Sequence, residues 1–355
     1  MTAPRTSGAK SRRRPEPSGP AGRSSLFSAP TMRRTLTAQI LSLALLAFAA
    51  LLPAVTHAQP RLEASAAPNI VATGSAHYLF DTLKLDSADG ERRYRVVIAR
   101  PRTAAPAQGY PAVYLLDGNA AVEALNDTLL GELAATNPPV IVAIGYDTPQ
   151  RFDVVARAYD YTPPLAGETP QADPLAPKRR NGGAADFLDF IEQRIKPEVA
   201  ARVPVDATRQ GLWGHSYGGL FVFYTLLTRP QAFAAYAAAS PALWWRDGNL
   251  ILGRDEDYAR SLAGRHARLL VLRGDSEGRT TRPDAPPGAT PERIAQRSRA
   301  TGTLPPDALP ALTARLGELP GVETAFQEFP GLDHGPMFPA SIGPSLRWMS
   351  APARP

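Results

Sequence analysis

Residues 210–219 read Gln210-Gly211-Leu212-Trp213-Gly214-His215-Ser216-Tyr217-Gly218-Gly219. The run starts strand-like and ends in a G-x-S-x-G pattern, and residues 220–228 (LFVFYTLLT) continue with helical character. A strand that turns sharply into a helix at a serine between glycines has the form of a nucleophile elbow. Such a turn is tight, so its flanking positions call for glycine, and the serine hydroxyl is lifted above the strand end. A glycine-rich strand–helix turn can instead cradle phosphate, but that use requires a following Lys-Ser/Thr pair or a G-x-G-x-x-G run. Neither is present.

Outward from this turn the chain alternates. Residues 77–85 (HYLFDTLKL) and 93–100 (RYRVVIAR) have strand composition and are separated by a turn, Ser87-Ala88-Asp89-Gly90. Short apolar runs at 110–116 (YPAVYLL) and 139–145 (PVIVAIG) read as buried strands, with a helix expected over 120–135 between them. Phe187, Leu188, Ile191, Ile195 and Val199 recur at helical spacing within 184–201. Further strands are expected at 233–239, 268–273 and 323–329, and helices at 307–319 and 339–349. Two hairpin strands followed by alternating strands and helices predict an α/β fold: a mostly parallel central sheet with helices on both faces. Two polar, Pro-rich stretches, 147–183 and 276–306, are too long for ordinary connections and are expected to act as lid or substrate loops.

A serine hydroxyl needs a base to become a nucleophile. His215 neighbours Ser216 on the turn, so its ring is expected to pack elsewhere. His77 lies far upstream and His266 sits beside Arg265 at a helix end. His334, in Gly331-Leu332-Asp333-His334-Gly335-Pro336, follows the last strand, which is where an α/β-hydrolase carries its base. The acid that orients it is expected after the strand at 268–273. Asp275 lies nearest the strand end and Glu277 is the alternative. Oxyanion donors are expected from the backbone amides of Tyr217, after the nucleophile, and Asn119, in the turn Asp117-Gly118-Asn119. No H-E-x-x-H, P-loop or dinucleotide fingerprint is present, so no metal and no organic cofactor is expected.

The chain has 355 residues, with 39 bases, 33 acids and no cysteine. This length and its 44% hydrophobic content support one large core. Lack of cysteine excludes a disulfide scaffold, a thiolate metal site and a cysteine nucleophile. The net charge of +6 misleads, because residues 1–58 carry eight of the bases and only one acid. The body is near neutral, which argues against a nucleic-acid partner. Within the basic leader, Arg33-Arg34 precedes a 13-residue apolar run, 40–52, broken only by Ser42 and followed by small residues up to Ala58. That layout reads as a signal peptide over 32–58, cut near Ala58, and the run is short of the roughly 20 residues that span a bilayer. A periplasmic or secreted protein without a stable membrane anchor follows. Residues 1–31, rich in Arg, Pro, Ser and Gly, read as a disordered basic extension, with Met32 as an alternative start. Residues 59–75 read as a flexible lead-in to a catalytic domain at 76–350.

Four motifs occur in order: Tyr114-Leu115-Leu116-Asp117-Gly118-Asn119, Gly214 to Phe221, Ser240-Pro241-Ala242-Leu243-Trp244-Trp245, and His334-Gly335-Pro336-Met337-Phe338. Together they resemble the putative-esterase family of α/β-hydrolases, and within it the periplasmic ferric-siderophore esterases that open the enterobactin or salmochelin trilactone. The resemblance implies a carboxylic ester hydrolase with Ser216 as nucleophile, His334 as base, and Asn119 and Tyr217 as oxyanion donors. Its acid is less uniform, since some members are described as Ser–His dyads. The same family includes feruloyl-type carbohydrate esterases and acyltransferases, and a non-catalytic binding protein on this scaffold is a further alternative. Trp244 and Trp245 either stack on a substrate ring or pack the core. Arg151, Arg157, Lys178, Arg179 and Arg180, with Tyr159 and Tyr161, gather in the first long loop; Arg157 and Tyr161 are the candidate contacts to an anionic, aromatic small-molecule ester.

Overall fold

The computed structural model describes residues 68–164, 171–173, 176–277 and 304–352. The expected basic extension and signal peptide lie outside these residues, as does most of the second Pro-rich stretch. One sheet of eight strands organises the rest, and a separate antiparallel pair, β5 (Gln171–Asp173) and β6 (Ala176–Asn181), lies within the first Pro-rich stretch. β1 (Tyr78–Asp86) and β2 (Arg93–Pro101) form the expected hairpin, closed by Ser87 N–H to Arg92 O and Gly90 N–H to Ser87 O. β2 runs antiparallel to β4 (Val140–Tyr146). From β4 onward every pairing is parallel, through β3 (Tyr110–Leu115), β7 (Val205–His215), β8 (Ala235–Ala239), β9 (Ala267–Gly274) and β10 (Val322–Phe329).

The central strands are apolar throughout because both faces of the sheet are covered. Alternate residues serve opposite faces. Tyr114, Val142, Ile144, Leu212, Tyr236 and Val271 pack on one side, with Phe187, Ile191 and Ile195 of the 184–200 helix and Phe221 of the helix after β7. Val113, Ile141, Trp213, Ala237 and Leu270 pack on the other, with Met337, Ile342 and Leu346 of the C-terminal helix Met337–Ser350. The mostly parallel sheet with helices on both faces is therefore as expected.

Three local expectations differ. The helix expected over 120–135 is two, Gly118–Ala124 and Asp127–Ala135. Asn126 restarts it: its backbone is extended and its side chain accepts from Leu129 N–H at 2.9 Å, an N-cap that ends one helix and begins the next. The helix Asp255–Leu262 was foreseen only as a helix end beside Arg265 and His266, with no start and an end three residues too late. Its sequence, DEDYARSL, is half charged and buries only Tyr258 and Leu262, too few apolar positions to show a period. Residues 68–75, expected within a flexible lead-in, include a helical turn, Ile70–Thr73, capped by Asn69 and seated by buried Ile70.

The Asn126 cap gives a simple test. Asn126→Ala is expected to cost about 1 kcal/mol of unfolding free energy. A urea midpoint unchanged from wild type would show that this cap contributes nothing.

Candidate active site

The predicted site residues sit on loops that follow the C-terminal ends of β3, β7, β9 and β10. This end of an open parallel sheet is where such folds bind ligands. Ser216 terminates β7 with φ 59° and ψ −116°, a conformation disfavoured for any residue with a Cβ. Neighbouring backbone holds it there. Ser216 N–H donates to Ala239 O at 3.0 Å, and Ser216 O accepts from Leu220 N–H at 2.9 Å and Ala242 N–H at 3.0 Å. The elbow's glycines are unequal. A Cβ on Gly214 would lie 2.3 Å from Gly218 O, and one on Gly219 would lie 2.9 Å from Pro241 Cα. A Cβ on Gly218 would meet nothing nearer than Leu116 Cδ1 at 3.5 Å, so this motif glycine is not sterically required.

His334 follows β10, and its Nε2 lies 3.1 Å from Ser216 Oγ. Behind it, Nδ1 faces Glu277 Oε2 at 3.3 Å. The expectation for Asp275 is corrected here. Its carboxylate turns away, and Oδ1 accepts from Gly331 N–H at 2.8 Å, bracing the loop that carries the histidine. Glu277 reaches back under the strand end, where Oε1 accepts from Ser240 Oγ at 2.6 Å and Gly274 N–H at 2.8 Å. Asp275 is thus committed to the loop backbone, while the bonds from Gly274 and Ser240 hold Glu277 facing the histidine. Gly274 also lets the β10 loop come close, since a Cβ there would lie 2.1 Å from Leu332 O.

The electrostatics fix the tautomer. Burial raises the Glu277 pKa, but the bonds from His334, Ser240 and Gly274 outweigh it and the net shift is downward. Glu277 is thus an ionised acceptor, so His334 carries its proton on Nδ1 and leaves Nε2 to accept from the serine. His215 packs beside this pair as expected: its ring is 4.7 Å from that of His334, and its Nε2–H donates to His334 O at 2.8 Å. Burial, with the neighbouring His334 ring and the Arg157 guanidinium adding to it, pushes the His215 pKa well down and keeps it neutral.

On the other side of Ser216, Gly118 and Asn119 open the helix after β3, where a helix's first amides have no carbonyl one turn back to bond. The Asn119 side chain has its own task, unsignalled in the sequence. Its Nδ2 donates to Tyr146 O, Thr148 O and Gln150 O at 2.8–3.1 Å, fastening the chain that leaves β4. Gly145 makes room for it, since a Cβ there would collide with Asn119 Oδ1.

Three of the four candidate substrate contacts are withdrawn from solvent. Tyr161 is buried, and its hydroxyl accepts from Asp117 N–H at 3.1 Å. Arg157 forms a two-pronged ion pair with Asp117, Nε to Oδ1 at 2.8 Å and Nη2 to Oδ2 at 2.9 Å. Burial alone lowers its pKa, but Asp117 more than compensates and the net shift is upward. Trp245 is buried in the core. Trp244 remains partly exposed, with its ring 6.0 Å from that of Tyr217. Arg151 pairs with Glu123 at 2.6 Å and Arg180 with Glu91 at 3.2 Å. Among the described residues, no three His, Cys, Asp or Glu side chains gather as a metal site, and no helix is long and apolar enough to cross a membrane.

Comparison with known proteins shows the family. The model of the family described as Putative esterase matches residues 87–300. The apo-salmochelin esterase of Escherichia coli O6:H1 is 40% identical, over 79% of this chain and 81% of its own length. The chain belongs to the esterase family of α/β-hydrolases. It is an ester hydrolase. The ferri-bacillibactin esterase BesA of Bacillus subtilis is 31% identical over 76% of this chain and 89% of its own. Among solved structures, the enterobactin and salmochelin hydrolase IroE is 38% identical, with a TM-score of 0.58, over 80% of this chain and all of its own. The siderophore hydrolase EstA of Aspergillus nidulans is 28% identical, with a TM-score of 0.63, over 76% of this chain and 94% of its own.

Two tests follow from the esterase's geometry. Gly214→Ala is expected to destabilise the fold by about 1–3 kcal/mol or more through overpacking, while Gly218→Ala changes thermal stability little. Equal losses would contradict the account of the elbow. Folding lowers the Glu277 pKa, so its stabilising contribution is complete above the unfolded value, near 4.3, and is lost as pH falls through the lower folded value. The stability difference between wild type and Glu277→Gln is therefore expected to shrink on acidification below about pH 5. A difference independent of pH would contradict the lowered Glu277 pKa.

Proposed function

We propose that this chain is an exported serine esterase that cleaves the ester bonds of a siderophore, with Ser216, His334 and Glu277 as its catalytic triad. The observation that carries the reading is the 3.1 Å contact from Ser216 Oγ to His334 Nε2 at a strained elbow. His334 takes the Ser216 proton as Oγ attacks the ester carbonyl. Glu277 holds the Nδ1–H tautomer and stabilises the imidazolium. Negative charge on the carbonyl oxygen is received by the backbone amides of Asn119 and Tyr217, each in the first turn of a helix, where the helix dipole favours an anion. His334 then protonates the leaving alcohol. Water, deprotonated by the same ring, attacks the acyl-enzyme, and the proton returns to Ser216 as the acid departs.

The substrate class is supported by the relatives, whose names specify salmochelin, bacillibactin and enterobactin. The partly exposed Trp244 beside Tyr217 offers an aromatic surface close to the nucleophile, suited to an aryl-bearing ester. Export, to the periplasm or outside the cell, is supported by the charged, apolar and small-residue order of residues 32–58.

Hydrolysis of a p-nitrophenyl ester and of a catecholate trilactone, in metal-free and ferric forms, tests the reading. Ser216→Ala is expected to lower kcat on the order of 10⁶-fold. Glu277→Gln is expected to lower it by about 10²–10⁴-fold, and Asp275→Asn by less than about tenfold. An Asp275 effect larger than that of Glu277 would overturn the triad. Turnover of small esters with none of either trilactone form would discard the siderophore.

A further inference from the structure

We infer that Arg157 is a positioning residue for the reaction: it locks together the two backbone segments that bracket Ser216 and does not take up substrate. The inference rests on the serine-esterase reading and deepens it.

Asp117 is the residue on which one of these segments turns. It lies in the left-handed region, at φ 52° and ψ 46°, immediately before Gly118 and Asn119. Every polar group it owns is engaged. Its N–H donates to Tyr161 Oη, its carbonyl accepts from Ala120 and Ala121, and both carboxylate oxygens accept from Arg157. The same guanidinium reaches the second segment, with Nη2 at 3.5 Å from the carbonyl of His215, the residue before the nucleophile. Its carbon lies 5.7 Å from the ring centre of Tyr217, the residue after it, and 5.3 Å from that of Tyr161. One side chain therefore touches the turn after β3 and both neighbours of Ser216.

Arg157 is itself aimed from a fixed base. It belongs to the short helix Ala156–Asp160, whose last residue is completely buried. Asp160 accepts from Tyr94 Oη at 2.9 Å and Tyr146 Oη at 2.8 Å, and pairs with Arg92 Nε at 3.0 Å. Two Arg–Asp pairs thus pin this helix, one to the β2–β4 side and one to the oxyanion turn. Side-chain exposures of 14% for Arg157 and 1% for Asp117 leave the pair largely closed to an incoming anion. Oxyanion stabilisation depends on donors placed in advance, so a shift in either segment should be felt in kcat.

The test measures kcat and KM on two esters, neutral p-nitrophenyl butyrate and the anionic p-nitrophenyl hemisuccinate, with thermal unfolding alongside. Arg157→Met and Asp117→Asn are each expected to lower kcat by about a hundredfold on both esters alike, the loss typical of a ~1 Å misplacement, with KM within about twofold. The double variant is expected to lose much less than the product of the two single losses, because each single change leaves a buried partner unpaired. Arg157→Lys keeps the charge without the fork, and serves where the Met variant fails to fold. It is expected to lose about tenfold in kcat with little change in Tm. A rise in KM confined to the anionic ester, with kcat on the neutral ester intact, would make Arg157 a substrate contact and overturn the inference. Unchanged kcat on both esters in Arg157→Lys and Arg157→Met would do the same. Loss of Ser216 dependence in the wild-type background would instead sink the esterase reading, so the two failures are distinguishable.

Discussion

The backbone of Ser216 occupies a region that costs a non-glycine residue on the order of 1–3 kcal/mol. Much of the surrounding structure can be understood as what holds it there. The parallel pairing of β7 with β8 supplies Ala239 O to the Ser216 amide, and the turn after β8 supplies Ala242 N–H to its carbonyl. Gly214 removes the side chain that would strike the returning helix. The helix itself, buried almost along its whole length, presses the turn against the sheet. Strain at this one residue is sustained by core packing on both faces, and the outcome is a hydroxyl lifted to within 3.1 Å of a histidine from another strand end.

Charge around the elbow is arranged in closed pairs. Glu277 is met by Ser240, Gly274 and His334, and Arg157 by Asp117. Buried charges left unpaired would be costly, and paired ones fix geometry. Ser240 illustrates the economy of the site. It has a positive φ of 42°, its amide donates to Leu272 O, and its hydroxyl holds Glu277. The turn after β8 thus supports Ser216 through Ala242 and Glu277 through Ser240.

The sheet and the Ser–His pair were legible in the sequence because each leaves a local pattern. Apolar runs such as 139–145 cannot be exposed, and the elbow's Gly-x-Ser-x-Gly is dictated by its own sterics. The carboxylate that faces His334 was legible only as a choice between Asp275 and Glu277. Position in the chain favours the residue nearest the strand end, whereas the outcome turns on Gly331, which engages Asp275, and on Ser240, 37 residues from Glu277, which holds its carboxylate. Arg157 and Tyr161 looked like substrate contacts because a basic, aromatic loop is the common sign of an anion site. Their burial follows from Asp117, 40 residues earlier for Arg157, a pairing that no spacing rule reveals. Trp244 and Trp245 are adjacent, yet one is buried in the core and the other partly exposed, a division set by the tight turn that begins there, in which Arg246 and Asp247 take positive φ.

The central claim is that this fold activates a single serine. Labelling the intact protein with a fluorophosphonate, followed by peptide mapping, tests it most directly. The account predicts one adduct, on Ser216, with labelling slowed in Glu277→Gln and unaffected in Asp275→Asn. An adduct on another hydroxyl, or labelling of Ser216 at the same rate in Glu277→Gln, would contradict it.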